Sequence, residues 1–311
     1  MYPIRFEPIY KDYVWGGTRI AREFNRKVNQ PVIAESWEIC DRPESMSVVM
    51  NGPYKGKTLH NLVQEMGEDL IGVGQKTDRF PLLLKIIDAK ENLSIQVHPD
   101  EMTAERLKGE PKTEVWVMLG DGSVLAGLQK EVTEKQLRDA IKKNKADQLV
   151  EKLDLKWGDA VFVPGGRVHA ICGGSLIYEI QQNSNTTYRL YDWGRKGREL
   201  HLEEGMAAIH WTDQGHAKIP PHHLTSDFHH QIVTLASNPF FIVERIDVFD
   251  HLHLGHIPKT FQVFFCMQGK GTITVDSHKE PFELGMTYLV PAACKSIEID
   301  GKCEALRTRL P

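Results

Sequence analysis

Apolar positions along this chain come mostly in short bursts. Some alternate with polar residues and some run together for a few positions, and Gly, Pro or polar turns bound nearly all of them. That rhythm, rich in β-branched and aromatic residues, predicts strands rather than helices. Strands are expected at Ser47 to Met50, Leu82 to Ile87, Ser94 to His98, Glu114 to Leu119, Ala160 to Val163, Leu176 to Gln181 and Thr187 to Tyr191. Two stretches change to a helical period. Residues 58–72 place Leu59, Leu62, Val63, Met66 and Leu70 on one stripe. Residues 133–153 open with Thr133 and Gln136 at the spacing of a capping box, and their lysine-rich face reads as solvated. A short helix is also expected at Asp100 to Leu107.

The strand pattern repeats. VWVMLGDG (Val115 to Gly122) and VFFCMQGKG (Val263 to Gly271) each read as a strand closing on a G-x-G turn. GDAVFVP (Gly158 to Pro164) and GMTYLVP (Gly285 to Pro291) follow them in the same order. A duplicated β-barrel has this appearance. Between the halves, residues 212–230 are poor in large apolar side chains and contain Pro220-Pro221, which reads as a linker or long loop. The expected division is a first domain over 1–225 with small helical segments, then a second over 226–311.

With 311 residues the chain can form two modest cores. Its formal net charge of −4 gives no support to a nucleic-acid or membrane-surface role, so an anionic small molecule would need local cations. No apolar run approaches the roughly 20 residues of a membrane span. Met1 to Arg5 carries no signal-like apolar stretch, and the five cysteines contain no C-x-x-C pair. Reduced thiols and a cytoplasmic location are expected. The oligomeric state is not legible.

The candidate chemistry gathers in the first half. Gln96 and His98 stand two apart on an expected strand and so share a face. Glu114 opens the next strand, and His169 follows GDAVFVPGGRVH. Each alone is an ordinary polar residue. Together, two imidazoles, a carboxylate and an amide oxygen form a thiolate-free donor set that suits catalytic zinc with one position left open. Manganese, cobalt, nickel or iron would also fit. Asp250 to His256 contains three histidines, but the second half has Gln262 or Val263 at the position of Glu114 and Ser296 at that of His169, so no metal site is expected there.

Gly158-x5-Pro164-x-Gly166-x2-His169 fits the second motif of the cupin superfamily, and Gln96-x-His98 with Glu114 resembles the first. Gln in place of the first His, and the insertion before Glu114, are the usual state of that motif in the type I mannose-6-phosphate isomerases. The chain resembles this family in IQVHPDE (Ile95 to Glu101), Lys112-Thr113-Glu114, VWGG (Val14 to Gly17), ESWEI (Glu35 to Ile39) and QQNSNTTYRLYDWGR (Gln181 to Arg195). The resemblance runs from about residue 10 to 200.

The resemblance implies an all-β-dominated fold of two cupin (jelly-roll) barrels with a small helical insertion. It implies a zinc-dependent aldose–ketose isomerase of carbohydrate metabolism that interconverts mannose 6-phosphate and fructose 6-phosphate through an enediolate. The implied metal ligands are Gln96, His98, Glu114 and His169. Lys112, Arg189 and Glu179 match catalytic positions, and Lys112, Arg189 and Arg195 would attract the phosphosugar, with Arg195 equally readable as part of a charged loop. Glu179 reads equally as a proton carrier or as an orienting group. Competing readings are a sugar-phosphate-binding cupin without turnover, an isomerase of another hexose phosphate, and an iron cupin oxygenase.

Overall fold

The computed structural model describes residues 1–28, 32–213, 215–255 and 259–311. The chain forms two compact units. One takes Met1–Ile9, Trp37–Leu82 and Pro220–Pro311; the other takes Tyr10–Ser36 and Leu83–Ile219. The chain returns to the first unit at Pro220, close to the expected break at 225. That unit also contains two earlier segments, which sequence order alone assigned to the other domain.

In the Tyr10–Ser36/Leu83–Ile219 unit two antiparallel sheets enclose a core. The larger sheet runs Lys218–Ile219, Ala160–Val163, Glu114–Met118, Ser175–Gln182, Leu82–Ala89, Glu35–Ile39, Ile9–Lys11. The smaller runs Val150–Leu155, Gly122–Leu128, His169–Ile171, Ile95–Val97, Tyr188–Tyr191. Between them pack Trp116, Val124, Val161, Val163, Ile171 and Ile177, all nearly or fully buried. The other unit holds a nine-stranded sheet built around two long strands, Gln262–Val275 and Ile297–Arg309. Phe264, Phe282, Tyr288, Ile246 and Ile299 fill its core. The all-β, two-barrel expectation is met.

The G-x5-P repeat has a structural basis. Gly158 and Gly285 both take φ +79°, where a side chain would be strained. The Gly158 amide donates to the Met118 carbonyl at 2.9 Å, and the Gly285 amide donates to the Cys266 carbonyl at 2.8 Å. The strands that follow, Ala160–Val163 and Thr287–Val290, then pair with Glu114–Met118 and Gln262–Val275 respectively. The G-x-G half of the repeat diverges. Gly120 and Gly122 flank a turn into Gly122–Leu128, whereas Gly269 and Gly271 lie inside the uninterrupted strand Gln262–Val275, bulged between Cys266 and Gln268.

Other expectations shift in detail. The helix expected over 58–72 breaks at Gly67, φ +51°, into Leu59–Met66 and Glu68–Ile71. Thr58 and Asn61 form a capping box at its start. The helix expected over 133–153 is helical only as Glu134–Lys142, capped as foreseen by Thr133 and Gln136. Beyond Asn144, at φ +57°, lie a 3-10 turn at Ala146–Leu149 and the strand Val150–Leu155, where ladder bonds to Gly122–Leu128 override helical propensity. Ser47 to Met50 is not a strand. Val48 and Val49 make single bridges to Thr58 and Phe6, and the hairpin strand is Ser45–Met46. The linker expected at 212–230 contains strands Lys218–Ile219 and His222–Ser226. The second is an exposed edge strand paired with His230–Ser237, and its polar side chains disguise it as loop.

Candidate metal centre and active site

The sequence-predicted donors converge between the two sheets of one unit. On the smaller sheet His169, Gln96 and Arg189 are successive Cα partners, so they stand in a row on one face. Immediately after Ile95–Val97, His98 brings its ring to 4.7 Å from that of His169, centroid to centroid. On the larger sheet Glu114 opposes Gln181 and Trp116 opposes Glu179, so these four share a face. His98, Glu114 and His169 are fully buried, and their ligand atoms lie within 4.8 Å of one another.

Each imidazole is held in one tautomer. His98 Nδ1–H donates to the Thr186 carbonyl at 2.9 Å, and His169 Nδ1–H donates to the Arg167 carbonyl at 2.8 Å. A carbonyl can only accept, so both Nε2 atoms present lone pairs. Burial is the main cause that keeps both rings neutral. It drives His98 well below its ordinary pKa and His169 to about 3, with the Lys112 ammonium adding to the effect in each case. Backbone-held neutral histidines whose Nε2 atoms carry lone pairs are what a divalent cation requires.

The remaining polar atoms point the same way. His98 Nε2 and both Glu114 oxygens are buried without a hydrogen-bond partner. His169 Nε2 is 3.5 Å from Glu114 Oε1, and His98 Nε2 is 3.7 Å from Glu114 Oε2. Donors about 2.1 Å from a tetrahedral ion stand roughly 3.4 Å apart. The set therefore fits a small divalent cation at its centre. Gln96 Nε2 lies 3.3 Å from His169 Nε2, while its Oε1 accepts from Ser94 at 3.1 Å. To ligate through oxygen the amide must turn over, after which its NH2 can donate to the Ser94 hydroxyl instead. Burial and the neighbouring Glu179 raise the Glu114 carboxyl to about 7 although Lys112 Nζ is only 3.0 Å away, the mark of a carboxylate short of positive charge.

A chain of alternating charge runs on from Glu114. Lys112 reaches 4.0 Å from Glu179 Oε1; Lys85 lies 3.2 Å from the same oxygen and 3.5 Å from Glu35 Oε2. Trp116 Nε1 donates to Glu179 Oε2 at 3.2 Å. Burial raises the Glu179 carboxyl, but Lys85 and Lys112 outweigh it and hold it below the ordinary range. Burial likewise works against the Lys85 ammonium, and the carboxylates of Glu35, Glu179 and Glu114 overcome it and keep it firmly protonated.

Lys85 and Glu35 were not singled out from sequence. One signal was present: a charged residue inside the apolar run LLLKII, whose strand is buried along its whole length. Such a lysine must have buried anionic partners.

The two arginines separate. Arg189 is half-buried; its Nη1 donates to the Glu199 carbonyl, while Nε is buried with no hydrogen-bond partner. Arg195 is instead tied both to its own loop and to the segment of Asn92. Its Nη2 donates to Asp192 Oδ1 and to the Asn92 carbonyl, both at 2.8 Å, and Arg198 also pairs with Asp192. Of the discounted histidines, His251 pairs with Asp300 and His253 with Glu298 near the surface, and His256 lies outside the described residues. Among the described residues, His98, Glu114 and His169 form the one group of three donors close enough to share a metal.

A buried two-His, one-Glu set between the sheets of a β-barrel is a group that could hold a metal ion, as in a cupin. Residues 4–114 match the family model for the phosphomannose isomerase type I catalytic domain, and residues 231–310 match that for the mannose-6-phosphate isomerase cupin domain. The chain is 34% identical over 324 aligned residues to mannose-6-phosphate isomerase ManA of Bacillus subtilis, covering 99% of each chain. It is 35% identical over 301 residues to the mannose-6-phosphate isomerase of Streptococcus mutans, covering 94% of this chain and 93% of that one. The crystal structure of the mannose 6-phosphate isomerase from Bacillus subtilis superposes with a TM-score of 0.92 over the whole of both chains at 30% identity. A mannose 6-phosphate isomerase solved with zinc and yttrium shares the fold, with a TM-score of 0.80 at 16% identity and 99% coverage of each chain. The chain belongs to the type I phosphomannose isomerases.

Proposed function

We propose that this chain interconverts mannose 6-phosphate and fructose 6-phosphate at a single divalent ion, zinc, held by His98, Glu114, His169 and Gln96. The observation that carries the metal assignment is the convergence of three buried donors whose ligand atoms lie within 4.8 Å of one another, with His98 Nε2 and Glu114 Oε1 lacking any hydrogen-bond partner. Zinc is favoured by the donor set, two imidazoles and a carboxylate without thiolate. When bound, the ion polarises the sugar oxygens and stabilises charge that develops on them.

The protein residues supply the rest. Isomerisation moves a proton between neighbouring carbons and needs a base that stays ionised. We assign that role to Glu179, whose Oε1 is buried and accepts no hydrogen bond in good geometry while Lys85 and Lys112 keep it charged. Lys112, beside Glu114 and Glu179, brings positive field to the reacting oxygens. Arg189 is our candidate for substrate binding, as its Nε has no hydrogen-bond partner on the protein. Arg195 contributes through the loop it braces around Asp192. The Tyr10–Ser36/Leu83–Ile219 unit is read as catalytic. The other unit is read as a metal-free cupin, because Gln262 and Ser296 stand where ligands would be needed. Among the described residues no helix is long and apolar enough to cross a membrane, and the five cysteines are unpaired, which agrees with the cytoplasmic location we propose.

The test is a coupled assay of mannose 6-phosphate conversion to fructose 6-phosphate, run as purified, after chelation, and after zinc is restored. Turnover lost on chelation and recovered with zinc supports the reading. A folded, zinc-loaded protein without turnover sinks it and leaves a sugar-phosphate-binding cupin or another hexose phosphate.

A further inference from the structure

The second barrel repeats the strand order of the first, and its interior carries a charged cluster of its own. In the first barrel Ala160–Val163, Glu114–Met118, Ser175–Gln182 and Leu82–Ala89 lie side by side in that order. In the second, Thr287–Val290, Gln262–Val275, Ile297–Arg309 and Ile242–Val248 do the same. The register extends the correspondence to single residues. Glu114 has Val163 and Gln181 as its cross-strand partners, and Gln262 has Val290 and Arg309. Glu179 opposes Trp116, and Arg307 opposes Phe264. Lys85 reaches Glu179 from the next strand, as Glu244 reaches Arg307. The second barrel therefore holds the buried ion pair of the first with its signs exchanged, and an amide where the metal-binding carboxylate would be.

These side chains point inward. Ile246, Phe264 and Ala305 belong to the core, and Glu244, Gln262 and Arg307 stand two residues from them on the same strands, hence on the same face. All three polar residues are buried. Arg307 Nε donates to Glu244 Oε2 at 2.7 Å, and its Nη1 reaches Gln262 Oε1 at 3.5 Å. Arg309 Nε stands 3.6 Å from Glu244 Oε2, too far for a hydrogen bond.

Positive charge and donors are both in excess here. Among the described residues Glu244 is the one carboxylate that pairs with either arginine, so two guanidiniums share one negative charge. Gln262 Nε2 and Arg309 Nε are buried with no hydrogen-bond partner. An uncompensated buried charge and orphaned buried donors are each costly until a partner satisfies them. The side chain of Arg309 is 21% exposed, so the cluster meets solvent at that residue.

We infer that this end of the second barrel is an anion site, in which Arg307, Arg309 and the Gln262 amide hold a small phosphate-type oxyanion, either inorganic phosphate or the phosphate group of a monoester. Its charge offsets the second guanidinium. Its several oxygens match the forked donors of two arginines and the N–H groups of an amide. Glu244 holds Arg307 in place through their ion pair. Exchange of the signs turns the position of a cation site in one barrel into an anion site in the other.

The test titrates the full, zinc-loaded chain with inorganic phosphate at constant ionic strength and follows the arginine Nε–H signals by NMR, each assigned through its own side chain. The Arg307 and Arg309 signals are expected to shift together and to saturate. Phosphate taken up beside the metal centre moves the Arg189 signal instead and is read separately. Arg309→Gln should weaken binding, read at the Arg307 signal, by at least about 10-fold. That side chain donates within the protein only to the Leu310 carbonyl, so the fold should survive its loss, and isomerase turnover should be unchanged. Unmoved Arg307 and Arg309 signals, shifts that chloride reproduces at the same ionic strength, or equal affinity in Arg309→Gln overturn the proposal.

Discussion

Replacing Lys85 with Met keeps the shape of a buried side chain and removes one charge from the middle of the active-site chain. Its ammonium lies 3.2 Å from Glu179 and 3.5 Å from Glu35. At an effective dielectric of about 20 each contact is worth roughly 5 kcal/mol of gross attraction. Desolvation of the ammonium offsets most of that. A second effect caps the loss: in the variant one glutamate can take up a proton instead of remaining a buried, unpaired anion. Neutralising a glutamate of ordinary pKa about 4.3 costs about 3.7 kcal/mol at pH 7 and about 1 kcal/mol at pH 5. The expected destabilisation at pH 7 is therefore about 3–4 kcal/mol, within the range found when one partner of a buried pair is deleted. It should shrink by about 1.4 kcal/mol per pH unit on acidification. The sign follows because the variant's carboxyl titrates above its unfolded value, so its penalty grows with pH. Thermal unfolding of both proteins from pH 5 to 8 measures this, with a fall of roughly 10 °C expected at pH 7. A fall that is equal at every pH, or one worth less than about 1 kcal/mol at pH 7, would refute the buried-charge account.

Four further outcomes are expected. Glu114→Gln should lose bound zinc by elemental analysis and lower kcat/KM by at least about 100-fold, and chelator should no longer shift its unfolding temperature. Arg189→Ala should lower kcat/KM by about 100-fold or more and Arg195→Ala by less than about 10-fold, since the second guanidinium is already committed to Asp192 and Asn92; comparable losses in the coupled assay would count against these roles. Asp213→Asn removes a two-pronged bond to the buried Arg167, whose carbonyl orients His169. It should cost about 2 kcal/mol near neutral pH in urea titration. Burial raises the Asp213 carboxyl, but Arg167 outweighs it and holds it below its ordinary pKa, so the gap from wild type should persist down to about pH 4 and close only as pH falls further.

Much of the centre was legible because its logic is local. Gln96 and His98 share a face because strands alternate, and one helix start was marked by Thr133 and Gln136. The duplicated G-x5-P string reflects a local need, a positive φ before a strand at Gly158 and Gly285. The misread segments were those where partners lie far along the chain. Val150–Leu155 became a strand through its ladder to Gly122–Leu128, and His222–Ser226 through its ladder to His230–Ser237.

The sequence alone thus determined the candidate donor types, the strands at Gln96 and Glu114 and the family, since these rest on spacing within short motifs, while the strand His169–Ile171 was not foreseen. Tertiary structure decided which charges meet. Lys85 and Glu35 became part of the site because Leu82–Ala89 and Glu35–Ile39 lie side by side, next to the strand of Glu179. Arg195 spends its guanidinium on Asp192 and the Asn92 carbonyl. Pairing among charges 50 or more residues apart in the chain depends on sheet order, which no local pattern encodes, and in a buried site burial makes each such pairing decisive.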